Sequence, residues 1–124
     1  MKKVLYIEDD PINKYLVKKF LTSRGYEVFE APNGRDGVNR AEEIGPDLIL
    51  MDMQMPGVDG YEATRQLKQS ASMKHIPIVA LTAHALPSDK EKCLAAGCDG
   101  YITKPIDIKN FEQLLTPFLS KSTE

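Results

Sequence analysis

Three carboxylates, Glu8-Asp9-Asp10, follow directly on the first apolar run of the chain, and a further one, Asp52, follows Leu48-Ile49-Leu50-Met51. A hydroxyl, Thr82, follows Ile78-Val79-Ala80-Leu81, and an ammonium, Lys104, stands just past Gly100-Tyr101-Ile102. A short continuous apolar run reads as a strand covered on both faces, so each polar group sits where a buried segment ends. In open parallel sheets, ligands bind outside the carboxyl ends of the strands. The pattern therefore gathers several acids, a hydroxyl and a lysine about a common point.

Such a cluster needs a countercharge. Two carboxylates about 4 Å apart repel by roughly 4 kcal/mol at an effective dielectric of about 20, so protons or a cation must be bound. Oxygen ligands favour magnesium, which takes one or two carboxylates and keeps several waters and phosphate oxygens. A carboxylate beside such an ion can attack phosphorus and form an aspartyl phosphate. Lys104 would then offer a mobile point charge to the phosphoryl oxygens, and Thr82 a hydrogen-bond donor. Capping does not explain Asp52, because the next helix begins only near Asp59. Asp10 is different: Pro11 follows it, and it reads as a helix N-cap.

The elements that must hold these groups alternate in type. Val4 to Ile7, Leu48 to Met51 and Ile78 to Leu81 read as interior strands, with Glu27 to Ala31 and Gly100 to Ile102 as edge strands. Between them, Asp10-Pro11 opens a helix in which Ile12, Leu16 and Phe20 recur at four-residue spacing until Gly25. Asn33-Gly34 opens a second, through about Glu43, closed by Gly45-Pro46. Asp59 with Glu62 forms a capping box for a third, running to about Ser70, and Ser88 to Glu91 forms one for a fourth that starts after Pro87 and ends at Gly97. The last helix is capped by Asp107 and carries Ile108, Phe111, Leu114, Leu115, Phe118 and Leu119 on one face, with Pro117 weakening its final turn. Strand and helix in strict alternation argue for an α/β fold with a parallel sheet and helices on both faces.

The 124 residues suit one domain, and 42% hydrophobic with 27% charged side chains excludes a disordered or collagen-like chain. Sixteen basic against eighteen acidic side chains, with a formal net charge of -2, give no electrostatic footprint for nucleic acid or an anionic membrane surface. The first apolar run is too short for a signal peptide and no stretch reaches membrane-spanning length, so a cytoplasmic protein is expected. Cys93 and Cys98 lack Cys-x-x-Cys spacing and are expected to be free, partly buried thiols.

Taken together, Glu8-Asp9-Asp10, Asp-Met-Gln-Met-Pro-Gly around Asp52, Thr82-Ala83 and Tyr101-Ile102-Thr103-Lys104-Pro105 resemble the receiver domain of two-component response regulators, from Val4 to about Leu119. The likeness is greatest to receivers of hybrid histidine kinases or stand-alone receivers. It implies a flavodoxin-like (βα)5 three-layer sandwich with strand order 2-1-3-4-5. It further implies that Asp52 accepts a phosphoryl group from a histidine kinase or phosphotransfer protein. Asp9 and Asp52 would ligate magnesium together with the backbone carbonyl of Gln54, and Glu8 would act through water. Lys104 would pair with Asp52 or its phosphate, and Pro105 would follow a cis peptide bond. Thr82 and Tyr101 would form a switch that changes the surface made by the fourth helix, fifth strand and fifth helix for a downstream partner. Gln54 and His84 occupy positions that flank the path of an attacking water, and a bulky His84 would slow hydrolysis.

Other readings fit less well. Phosphatases of the haloacid dehalogenase type also use a strand-end aspartate with magnesium, a threonine and a lysine, but they place a second aspartate where this chain has Gln54. A Rossmann-type nucleotide module needs a glycine-rich first loop, and Glu-Asp-Asp-Pro stands there instead. A receiver fold used only for binding is the third alternative, against which the full acid, threonine and lysine set speaks. The expectation is a single receiver domain over residues 1–124 with no output domain, acting as a signalling protein through protein contact.

Overall fold

The computed structural model describes residues 2–53, 60–83, 86–104 and 106–121. Strands β1 (Lys3–Ile7), β2 (Glu27–Ala31), β3 (Leu48–Asp52), β4 (Ile78–Thr82) and β5 (Gly100–Thr103) alternate with helices α1 (Pro11–Ser23), α2 (Gly34–Ile44), α3 (Gly60–Gln69), α4 (Pro87–Ala96) and α5 (Ile108–Lys121). All strand pairs are parallel, in the order β2-β1-β3-β4-β5, so the two weakly apolar strands lie at the edges as expected.

Side-chain alternation explains the continuous apolar runs. Val4, Tyr6, Leu48, Leu50, Val79 and Leu81 pack with Val17 and Leu21 of α1 and Phe111 and Leu115 of α5. The intervening Leu5, Ile7, Ile49, Met51, Ile78 and Ala80 pack with Ala41 of α2, Ala63 and Leu67 of α3 and Cys93 of α4. Each central strand thus feeds two cores, which requires apolar residues at every position. The result is a three-layer sandwich.

Helix signals hold with local corrections. The Asp10 carboxylate accepts from the Ile12 N–H at 2.9 Å and Asn33 from the Asp36 N–H at 2.8 Å, while Asp107 accepts from the Lys109 N–H at 3.0 Å. In α1 the buried residues are Val17 and Leu21, whereas Ile12 is 70% and Leu16 48% exposed. That helix carries two rows of four-residue spacing one position apart, and spacing alone does not say which row meets the sheet. Helix α4 begins at Pro87 with Leu86 as an N-cap that makes no side-chain hydrogen bond. Pro87 occupies the first helical position, which draws Ser88 inside the first turn and leaves the expected Ser88 box unused. Pro117 lies within α5, which continues to Lys121; the proline removes one backbone bond without ending the helix. The Asp59 cap falls outside the described residues.

Candidate functional site

The register brings the strand ends to one edge. Ile7 lies beside Met51, Asp52 beside Leu81, and Thr82 beside Thr103. The ladder then continues outward, with the Glu8 N–H on Ala31 O at 3.1 Å, the Met53 N–H on Leu81 O at 3.0 Å and the Lys104 N–H on Thr82 O at 2.7 Å. Alternation divides the polar groups between the two faces. Glu8, Asp52 and Lys104 follow Tyr6, Leu50 and Ile102 on the α1 and α5 side. Thr82 follows Ala80, and Tyr101 packs on the same side, over α4.

Lys104 Nζ bridges two acids, at 3.1 Å from Glu8 Oε1 and 3.2 Å from Asp52 Oδ1. Both carboxylates are buried, and Thr82 is buried with them. Asp9 is exposed at the mouth, and one carboxylate oxygen from each of Glu8, Asp9 and Asp52 lies within 4.8 Å of the others. Three carboxylates facing one ammonium leave the site negative. An all-oxygen donor set, without imidazole or thiolate, fits a hard divalent ion such as magnesium.

Burial pushes the Glu8 carboxyl up to about 7, and its contact with Asp52 adds to the rise against the opposing pull of Lys104. The same two acids hold the Lys104 ammonium above its ordinary value, outweighing the effect of its own burial. Because the folded state binds the Glu8 proton more tightly than the unfolded state, its stabilising effect is complete below pH 4.5 and disappears as pH rises through about 7. Thermal unfolding in metal-free buffer is expected to show this as a loss on the order of 3 kcal/mol between pH 5 and about 8. A flat profile over that range would mean that Glu8 ionises without hindrance.

Glu8, Asp9, Asp52 and Lys104 therefore come together at one edge, Thr82 ends the neighbouring β4 on the other face of the sheet, and Asp10 is turned away into its cap. The Gln54 carbonyl, His84 and the Pro105 peptide lie outside the described residues. Tyr101 is half-buried, with Lys90 Nζ 5.1 Å from its ring centre. Cys93 and Cys98 are free and buried, and burial pushes the Cys98 thiol up to about 12, which keeps it an inert packing group.

Two residues went unremarked in the sequence. The Tyr6 hydroxyl, within the first apolar run, donates to Glu8 Oε1 at 2.9 Å; the signal is the two-residue spacing that puts both on one strand face. Lys68 donates to the carbonyls of Lys74 and Ile76 and to Asp99 Oδ2, at 3.2, 2.9 and 2.8 Å, pinning the end of α3 to the start of β5.

Residues 4–116 match the family model of the response regulator receiver domain. The polar-differentiation response regulator DivK of Brucella anthropi is 39% identical over 118 residues, which cover 95% of this chain and 96% of that protein. The receiver domain of the sensor histidine kinase PA1611 from Pseudomonas aeruginosa, solved with magnesium coordinated in its active-site cleft, is 37% identical. It superposes with a TM-score of 0.88 over 96% of this chain and 98% of that one. The receiver domain of Saccharomyces cerevisiae Ssk1, solved with the histidine phosphotransfer protein Ypd1, is 33% identical, with a TM-score of 0.87 over 96% of this chain and 89% of the other. The family match runs through every strand and into the last helix, and this chain accordingly belongs to the response regulator receiver domains of two-component signalling.

Proposed function

We propose that this receiver takes a phosphoryl group from a phosphohistidine on a histidine kinase or a histidine phosphotransfer protein onto Asp52, in a magnesium-dependent reaction. The observation that carries this is the bridge from Lys104 to both Glu8 and Asp52 beside Asp9. Glu8, Asp9 and Asp52 would hold the ion, with the Gln54 carbonyl as a further ligand. When bound, magnesium offsets the charge on the transferred phosphoryl group.

The remaining work belongs to the chain. An Asp52 carboxylate oxygen attacks phosphorus as the donor's N–P bond breaks, and the imidazole leaves with the electron pair of that bond. Lys104, released from Asp52, follows the phosphoryl oxygens as a point charge on a flexible stem. The Thr82 hydroxyl donates to another of those oxygens. Its movement opens space on the α4 side of the sheet, where Tyr101 packs, and the α4-β5-α5 surface changes its preferred packing. Exposed Leu86 at the N-cap of α4, Leu94 on α4 and Leu114 on α5 supply apolar contacts for a downstream protein there. The protein is thus a signalling module whose chemistry acts on itself. No helix among the described residues is long and apolar enough to cross a membrane.

Incubation with acetyl phosphate and magnesium, followed by intact mass, is expected to show one added phosphoryl group, lost when the metal is chelated. The Tyr101 ring resonance should move in the phosphorylated sample. An unchanged mass under these conditions would leave only a binding role for the fold.

A further inference from the structure

The Glu8 carboxylate is fully buried, and its two oxygens are held differently. Oε1 accepts from the Tyr6 hydroxyl at 2.9 Å and from Lys104 Nζ at 3.1 Å, whereas Oε2 lies 3.4 Å from the Asp10 N–H, a longer contact. Tyr6 is itself fully buried, its ring packed in the core between β1, α1 and α5. Two residues apart on one strand, Tyr6 and Glu8 project to the same face, so the phenol reaches the carboxylate without bending the backbone.

Two donors of different kind therefore share one oxygen. Lys104 is charged, flexible and also bound to Asp52, so in the proposed reaction it must move toward the phosphoryl group. Tyr6 is neutral and fixed by packing, and it gives Glu8 a hydrogen bond without cancelling the negative charge that a cation would meet. Resting on the reading of Glu8 as part of the metal site, we infer that Tyr6 is a positioning residue for that site. Its hydroxyl locks the Glu8 carboxylate through Oε1, keeps Oε2 turned to the ion, and holds that orientation when Lys104 leaves. A phenylalanine would fill the same space in the core and lose only this function.

The test is a double-mutant cycle on the full chain, with magnesium titrations followed by amide resonances in wild type, Tyr6→Phe, Glu8→Gln and the double variant. Tyr6→Phe is expected to weaken magnesium binding about tenfold, the scale of one hydrogen bond to a charged group. In the Glu8→Gln background the same change should cost nothing further, because the group it positions is gone. Unaltered affinity in Tyr6→Phe, or an equal loss in both backgrounds, would overturn the inference and leave Tyr6 a packing residue. No uptake by the wild-type protein would overturn the metal reading itself, and this inference with it. Should Tyr6→Phe not fold, the Tyr6 ring resonance of the wild-type protein decides: movement in step with magnesium supports the link through Glu8, and a stationary signal removes it.

Discussion

Asp52→Asn is expected to take up no phosphoryl group from acetyl phosphate and magnesium, yet to unfold later than the wild type in metal-free buffer near pH 8. The first result follows from loss of the attacking carboxylate, since an amide oxygen is a poor nucleophile. The second follows from the buried position of Asp52 and its contact with Glu8. Replacing the charge removes repulsion from Glu8 and Asp9 and the cost of burying a carboxylate, at the expense of one attraction to Lys104. The balance is expected to favour the variant by about 1–2 kcal/mol, read by urea unfolding in chelator. Glu8 also ionises more easily beside an amide, so the gain should shrink toward pH 5. An Asp52→Asn protein that still gains phosphoryl mass would move the acceptor elsewhere, and one less stable than wild type would mean that Lys104 outweighs both repulsions.

Lys104→Met should act with the opposite sign on stability and the same sign on chemistry. The thioether chain preserves the packing of the lysine stem while deleting the cation that bridges Glu8 and Asp52. Breaking a buried pair by removing one partner costs about 3–5 kcal/mol, because the surviving charges are left uncompensated. Added magnesium should restore part of this loss, since an ion bound to the folded site stabilises it in proportion to its occupancy. Phosphoryl uptake should slow by about 100-fold or more, the scale seen when one donor to developing charge is removed. Stopped-flow phosphorylation and chelator-buffered unfolding would read the two effects separately. A variant with wild-type stability and a slow reaction would confine Lys104 to the chemistry.

The architecture was legible because the sequence states it redundantly. Unbroken apolar runs at β1, β3 and β4 signal strands buried on both faces, and the caps at Asp10, Asn33 and Asp107 start helices where the side chains say they should. The acids, Thr82 and Lys104 could be placed at one edge because parallel strands share a direction, so their ends need no further information. What escaped was rotational or long-range. The inward row of α1 depends on how the helix docks, and Ile12 and Val17 are both plausible until it does. Tyr6 is indistinguishable from core filler until Glu8 is known to be buried two residues away. The hub at Lys68 joins carbonyls from one loop to Asp99 far along the chain, and no local pattern announces such a convergence.

The sheet divides labour between its two sides: Glu8, Asp52 and Lys104 on one, Thr82 and Tyr101 on the other. With the docking surface proposed above, a protein engineer would redraw the α4 exterior to suit a new listener while the acid pocket on the opposite side of the strands keeps its wiring. Under the proposed switch, the narrow link between message and meaning is a single hydroxyl at the tip of β4, and a receiver of that design would change its audience without relearning how to be written to.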